Sequence, residues 1–180
     1  MNEPADNNQP SSEWFAIRTK QDFRAAQLLA PFCEDLFFPL ESVQREGGKP
    51  RDRAVIPHVL FLKTTRSNIL DMETRGRKSP EQNVPFWIYR YPKENRIRPI
   101  PESSIELLRL LTATDRTRCE IFRKDDFRVD QRVRVIGGEF EGYEGYVQRV
   151  RKNRHVVVKI EGICMVMLPF IHPDLLQTLE

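Results

Sequence analysis

The stretch VRVIGGEFEGYEGYVQRV, residues 133–150, decides how the last third of this chain folds. At both ends apolar and polar residues alternate, the period of a strand with one buried face. Between them Gly137, Gly138, Gly142 and Gly145 permit the positive φ that a tight connection needs. Further on, residues 155–160 and 163–168 repeat the strand pattern, spaced by a glycine and by Arg151-Lys152-Asn153-Arg154. This predicts a small β-barrel that binds rather than catalyses. Phe140, Tyr143 and Tyr146 are large aromatics where a loop surface is expected, a placement suited to contact with a protein or RNA. The alternative for Phe140 is that it folds back as an anchor of its loop.

Upstream the patterning changes. Residues 14–20, WFAIRTK, read as a first strand, with Asp22 capping a helix over 23–32 that Pro31 limits. Residues 36–40 and 42–45 suggest a second strand, and Gly47-Gly48-Lys49-Pro50 has hairpin-tip composition. The return strand, VIPHVLFL at 55–62, is almost continuously apolar, as for a strand covered on both faces, with Pro57 at its start or at a bulge. A short helix over 67–72 and a basic loop, Arg75-Gly76-Arg77-Lys78-Ser79-Pro80, lead to a fourth strand at 86–91. In the helix beginning after Pro101-Glu102, the residues Ile105, Leu108 and Leu111 share a face. Four strands and two or three helices predict an α+β sandwich.

Between these regions, residues 113–128 alternate in charge sign and hold few apolar side chains beyond Ile121, Phe122 and Phe127. The expected organisation is a flexible tail over 1–12, an α+β domain over 13–112, a linker over 113–128 and an all-β barrel over 129–180. The formal charge of +3 is uneven: residues 13–112 carry 17 Lys+Arg against 13 Asp+Glu, while residues 129–180 carry seven of each. Attraction to nucleic acid therefore belongs mostly to the first part.

The chain begins without a basic start or apolar run, and its longest apolar stretches fall well short of the roughly 20 residues of a membrane span. Cys33, Cys119 and Cys164 form no C-x-x-C pair, which argues against a disulfide framework and for a reducing cytoplasm. His58, His155 and His172 are dispersed, so neither a metal site nor any cofactor is expected. No phosphate-binding loop, nucleophile elbow or convergent acid-base set is present, which argues against an enzyme.

The glycine and aromatic pattern of residues 133–150 resembles the KOW motif, shared by NusG-type transcription factors and several ribosomal proteins. WFAIRTKQDFRAAQLL, from Trp14, looks like the opening strand and helix of the NGN domain that precedes KOW in NusG. VIPHVLFL stands where that family has its Phe-Pro-Gly-Tyr strand, and RPIPESSIELL where its last helix begins. The order holds across residues 13–180. The closing stretch from Val156 looks more like the specialised UpxY-type paralogs found with capsular polysaccharide operons than like housekeeping NusG.

The resemblance implies a monomeric factor without membrane attachment, whose NGN domain binds the clamp helices of RNA polymerase so that the elongating enzyme resists pausing. Ile56, Val59, Phe61, Phe86 and Ile105 match positions around the apolar depression that receives polymerase; plain core packing is the alternative for each. Lys20 and Arg24 fall where the RfaH branch reads non-template DNA, with Arg75, Arg77 and Lys78 flanking, although a charge run is more often only a solvated face. Ribosomal protein S-ten or Rho is the implied partner of the KOW domain, with Phe140 and Tyr143 as its contact residues. Ile56-Pro57-His58-Val59 departs from Phe-Pro-Gly-Tyr, and Arg18 stands where an aromatic is frequent. Housekeeping NusG and a KOW-type ribosomal or RNA-binding protein are the alternative readings. Val156-Val157-Val158 favours strands over a hidden helical form of the barrel.

Overall fold

The computed structural model describes residues 10–44, 47–113, 121–122, 131–150, 153–160, 162–169, 171 and 173–179. Contacts divide the chain into two compact units, Met1–Ile105 and Glu106–Glu180. This division falls inside a helix, α3 (Glu102–Ala113). Most of the expected linker and His172 and Cys119 lie outside the described residues, but Ile121–Phe122 form a strand, β8, where the sequence suggested only a connection.

The first unit is built on β1 (Glu13–Arg18), which is buried along most of its length. It pairs antiparallel with β5 (Val59–Thr64), setting Phe15 opposite Leu62, Ala16 opposite Phe61 and Ile17 opposite Leu60. β2 (Asp35–Phe37) lies on the far side of β5, while β6 (Trp87–Ile88) and β7 (Pro99–Ile100) both pair with β1. Because side chains alternate, this register sends Phe15, Ile17, Leu60, Leu62 and Ile88 to one face. There they meet Ala25 and Leu29 of helix α1 (Asp22–Leu29) and Ile69 and Met72 of helix α2 (Arg66–Lys78), closing the core with Val84, Phe86 and Ile97. Trp14, Ala16, Val59 and Phe61 occupy the opposite face.

The return strand expected at 55–62 lies earlier, at Arg51–Ala54, and the apolar run enters a strand only at Val59. β4 (Arg51–Ala54) pairs with β3 (Leu40–Val43) in a separate two-stranded ribbon, and the chain then turns at Ile56-Pro57-His58-Val59 before entering β5. Val59 N donates to the Ile56 carbonyl at 3.3 Å, and His58 takes φ 67°. Pro at the first corner and positive φ at the second are the geometry of a type II turn, which normally takes Gly where His58 stands.

Two helix readings also change. Asp22 is the first residue of α1, preceded by Gln21 at the cap, and its Oδ2 instead accepts from His58 N at 3.4 Å. Helix α2 is twice as long as its apolar pattern suggested, because Thr65 caps its start by accepting from Asn68 N at 3.3 Å and Gly76 does not stop it. At Gly76 the helix lies directly against the Val84 carbonyl, an approach that leaves no room for a Cβ. The expected basic loop is therefore the last turn of α2, where cations complement the helix dipole.

In the second unit six strands form one antiparallel sheet in the order β13-β9-β10-β11-β12-β8. These are β9 (Gln131–Val135), β10 (Glu144–Val150), β11 (Asn153–Ile160), β12 (Cys164–Met167) and the unanticipated β13 (Leu176–Thr178), joined by β8. β9 alternates buried Val133 and Val135 with exposed Arg132 and Arg134, as its sequence predicts. Gly145 is packed against β11: a Cβ there would lie 2.5 Å from the Val157 carbonyl oxygen. No described helix is long and apolar enough to cross a membrane.

Candidate interaction surfaces

On the sheet face of the first unit turned away from its core, Ala16 and Phe61 are fully buried, but Trp87 at its edge is 53% exposed. Trp87 lies directly across from Arg18, whose side chain is also exposed. An exposed Trp beside an Arg has the composition of an energetic centre in a protein interface. Neither residue was among the expected polymerase contacts. The alternation Phe86-Trp87-Ile88 carried the signal, since two buried neighbours force Trp87 to the opposite face.

The five expected contacts do not gather into one exposed depression. Ile56, Val59, Phe61, Phe86 and Ile105 are all buried. Phe86 belongs to the core between the sheet and helices α1 and α2, while Phe61 stacks on Phe37 across the other face, ring centroids 6.0 Å apart. Val59 sits on the Phe61 face opposite Arg18. These apolar side chains pack the unit rather than presenting themselves.

The expected nucleic-acid cations are only partly unengaged. Arg24 donates to Gln21 Oε1 at 2.8 Å and to the Glu81 carbonyl at 3.1 Å, tying α1 to the loop after α2. Arg75 pairs with Asp71 at 3.0 Å, one helical turn away, and its guanidinium also lies 5.7 Å from the centre of the exposed Phe32 ring. Arg77 reaches Glu73 at 3.4 Å. Lys20 and Lys78 are exposed.

Glu73 organises this side of the unit. Its Oε1 accepts from Ile88 N at 2.9 Å and from Arg90 Nη1 at 3.1 Å, and its Oε2 accepts from Arg90 Nη2 at 2.7 Å. Burial alone would raise its carboxyl, but the Arg90 fork, the Ile88 amide and the Arg77 charge outweigh that and hold it below the usual carboxylate range. The same bond pushes Arg90 up. Among the described residues no cluster of His, Cys, Asp and Glu is placed to hold a metal ion.

In the second unit Phe140 is buried, 8% exposed, and so takes the anchoring alternative instead of standing on the loop surface. Tyr143 is half-buried; burial first and the neighbouring Glu106 charge second push its phenol up. Among the described residues of this unit the large apolar side chains that face solvent are Ile136, 49% exposed, and Leu175, 37% exposed. They are held together: Ile136 N donates to the Leu175 carbonyl at 2.8 Å, and Leu175 lies over the bare backbone of Gly137 and Gly138. Glu139 and Glu141 are exposed in the loop that carries Ile136, and on the strands beside it Arg132 and Arg134 both pair with Glu144.

An exposed Trp-Arg pair on one unit and an acid-rimmed apolar pair on the other are features that macromolecular partners cover. No family model matches the chain. Its sequence is similar to the transcription termination/antitermination protein NusG of Borreliella burgdorferi (strain ATCC 35210 / DSM 4680 / CIP 102532 / B31), at 28% identity over 174 residues that cover 84% of this chain and 91% of that protein. Among solved structures it matches a chain in the crystal structure of the MjSpt4:Spt5 complex, conformation B, at 20% identity, over 92% of this chain and 95% of that one, with a TM-score of 0.27.

Proposed function

We propose that this chain is a NusG-type transcription factor, an NGN domain followed by a KOW domain, that binds elongating RNA polymerase and promotes processive transcription. The observation that carries the reading is the similarity to a NusG protein over 84% of the chain, a span too long to fall within either unit. The α+β region and the all-β sheet that follows it agree with that reading in type and order.

In this reading the first unit docks on the polymerase clamp helices through the sheet face that bears Trp87 and Arg18, with Val59 and Phe61 buried on that face, Ile56 at the turn into β5 and Ile105 buried in α3. Lys20 and Lys78 offer salt-sensitive contacts to non-template DNA, with Arg24, Arg75 and Arg77 held by partners within the unit. The C-terminal unit takes a second protein at Ile136 and Leu175. Their acidic rim favours a basic protein surface, as ribosomal protein S-ten or Rho would have to present, and disfavours RNA. A dedicated role as an antiterminator of one long operon, such as a capsular polysaccharide operon, is supported by the UpxY-like closing stretch. The working compartment is the cytoplasm.

Capture tests the reading. Immobilised full-length chain should retain RNA polymerase subunits from a lysate of its source cell at low and moderate salt. Retention of ribosomes that survives high salt, without polymerase, would instead establish a ribosomal KOW protein.

A further inference from the structure

The ribbon of β3 and β4 stands apart from the main sheet of the first unit, and among the described strands each pairs only with the other. Its register sets Val43 opposite Arg51 and Glu41 opposite Arg53, so these four share one face, and alternation adds Val55 to it. That face and the first turn of α1 line a groove of about 530 Å³. On the helix side stands Phe23, 48% exposed and held by an edge-to-face contact with Phe38, ring centroids 5.1 Å apart. Pro57, in the turn into β5, also lines the groove.

The charges along this groove are mostly committed. Glu41 accepts from Arg53 Nε at 2.8 Å, and Asp22 accepts from Phe23 N at 3.1 Å and from His58 N at 3.4 Å. Asp52 falls on the other face of the ribbon. Arg51 differs: it is exposed beside Val43 and has no hydrogen-bond or ion-pair partner among the described residues. An apolar trough of Phe23, Val43, Val55 and Pro57 with one uncommitted cation on its wall is complementary to an apolar surface that carries a carboxylate. Because the ribbon presents a face here rather than a ladder edge, recognition falls to side chains, which favours a helix in the groove over an added strand. A two-stranded ribbon is marginally stable by itself in water, so an occupant packed on this face would also hold the ribbon in place.

We propose that this groove receives the apolar face of an acidic amphipathic helix from a partner protein, its apolar side chains packing between Phe23 and Val43 and one of its carboxylates meeting Arg51. Neither Trp87 nor Arg18 lines the groove, so this contact is additional to the sheet face and does not depend on the polymerase reading.

The test is fluorescence anisotropy of the full chain with a labelled amphipathic peptide of Leu and Glu, about 20 residues long so that it can form a helix, beside a Leu and Lys peptide of the same pattern. The acidic peptide should bind saturably and the basic one far more weakly. Phe23→Ser and Arg51→Glu, both at exposed positions, should each weaken the acidic peptide about five- to tenfold, and Arg51→Glu should tighten the basic one. Trp87→Ala should leave the binding unchanged, and an unaltered urea midpoint followed by Trp fluorescence shows that each variant is folded. No preference for the acidic peptide, or an affinity that neither Phe23→Ser nor Arg51→Glu alters, overturns the proposal. So does loss of binding in Trp87→Ala, which would place the peptide on the sheet face. An affinity for single-stranded DNA that falls with Arg51→Glu while peptide binding holds also overturns it, and would assign Arg51 to nucleic acid.

Discussion

Glu73 and Arg90 form a two-pronged ion pair, with Arg90 Nη1 at 3.1 Å from Oε1 and Nη2 at 2.7 Å from Oε2, that joins helix α2 to the strand leaving Trp87. Glu73 is 1% exposed, so the pair is tied into the unit's interior, and removing one partner strands the other. Both tryptophans, Trp14 and Trp87, lie in the first unit, so Trp fluorescence follows its unfolding without interference from the second. Glu73→Ala should destabilise this unit by about 3 kcal/mol in urea unfolding. Glu73→Leu/Arg90→Met should recover part of the loss, because it leaves no unpaired charge.

The same pair sets a pH dependence. A carboxyl held below its unfolded value contributes stability that is present above the unfolded pKa and lost as pH falls through the folded one. Urea midpoints should therefore hold near neutrality and drop below about pH 4.3, and the Glu73→Leu/Arg90→Met variant should show a shallower drop there.

His58 sits at φ 67° where a type II turn favours Gly. His58→Gly should stabilise the first unit by about 0.5 to 1 kcal/mol, since its exposed Nδ1 contact with Asp22 at 3.7 Å contributes little. A β-branched residue has no such relief: His58→Val should destabilise. Equal midpoints for the two variants would contradict the turn geometry.

Gly76 separates helix propensity from packing. On propensity alone Gly76→Ala in α2 would stabilise by about 1 kcal/mol. The Val84 carbonyl occupies the place of the new methyl, so the substitution should destabilise instead, read as a lower midpoint of thermal unfolding.

Much of this architecture was legible in the sequence, and the misreadings share a cause. β1, the three helices and the principal strands of the C-terminal sheet follow from alternation and from 3.6-residue spacing. The helix α2 was cut short because Arg75-Gly76-Arg77-Lys78 has loop composition, and only the tertiary contact with Val84 explains a glycine there. The split of residues 51–64 into two strands depends on His58 accepting a backbone shape that its side chain does not advertise. Site residues were harder. Phe61, Phe86 and Phe140 are apolar in sequence whether they are buried or displayed, and only register assigned Phe86 to the core and Trp87 to solvent. Ile136 and Leu175 are far apart in the chain and become neighbours only when β13 pairs with β9.

The most direct test of the central claim is elongation by reconstituted RNA polymerase on a long template, timed with and without the full chain. Saturating wild type should shorten pauses, and Trp87→Ala, at an exposed position, should keep the first unit's urea midpoint while losing most of that effect. Pausing unchanged by saturating wild type, or an undiminished effect of Trp87→Ala, would contradict the account.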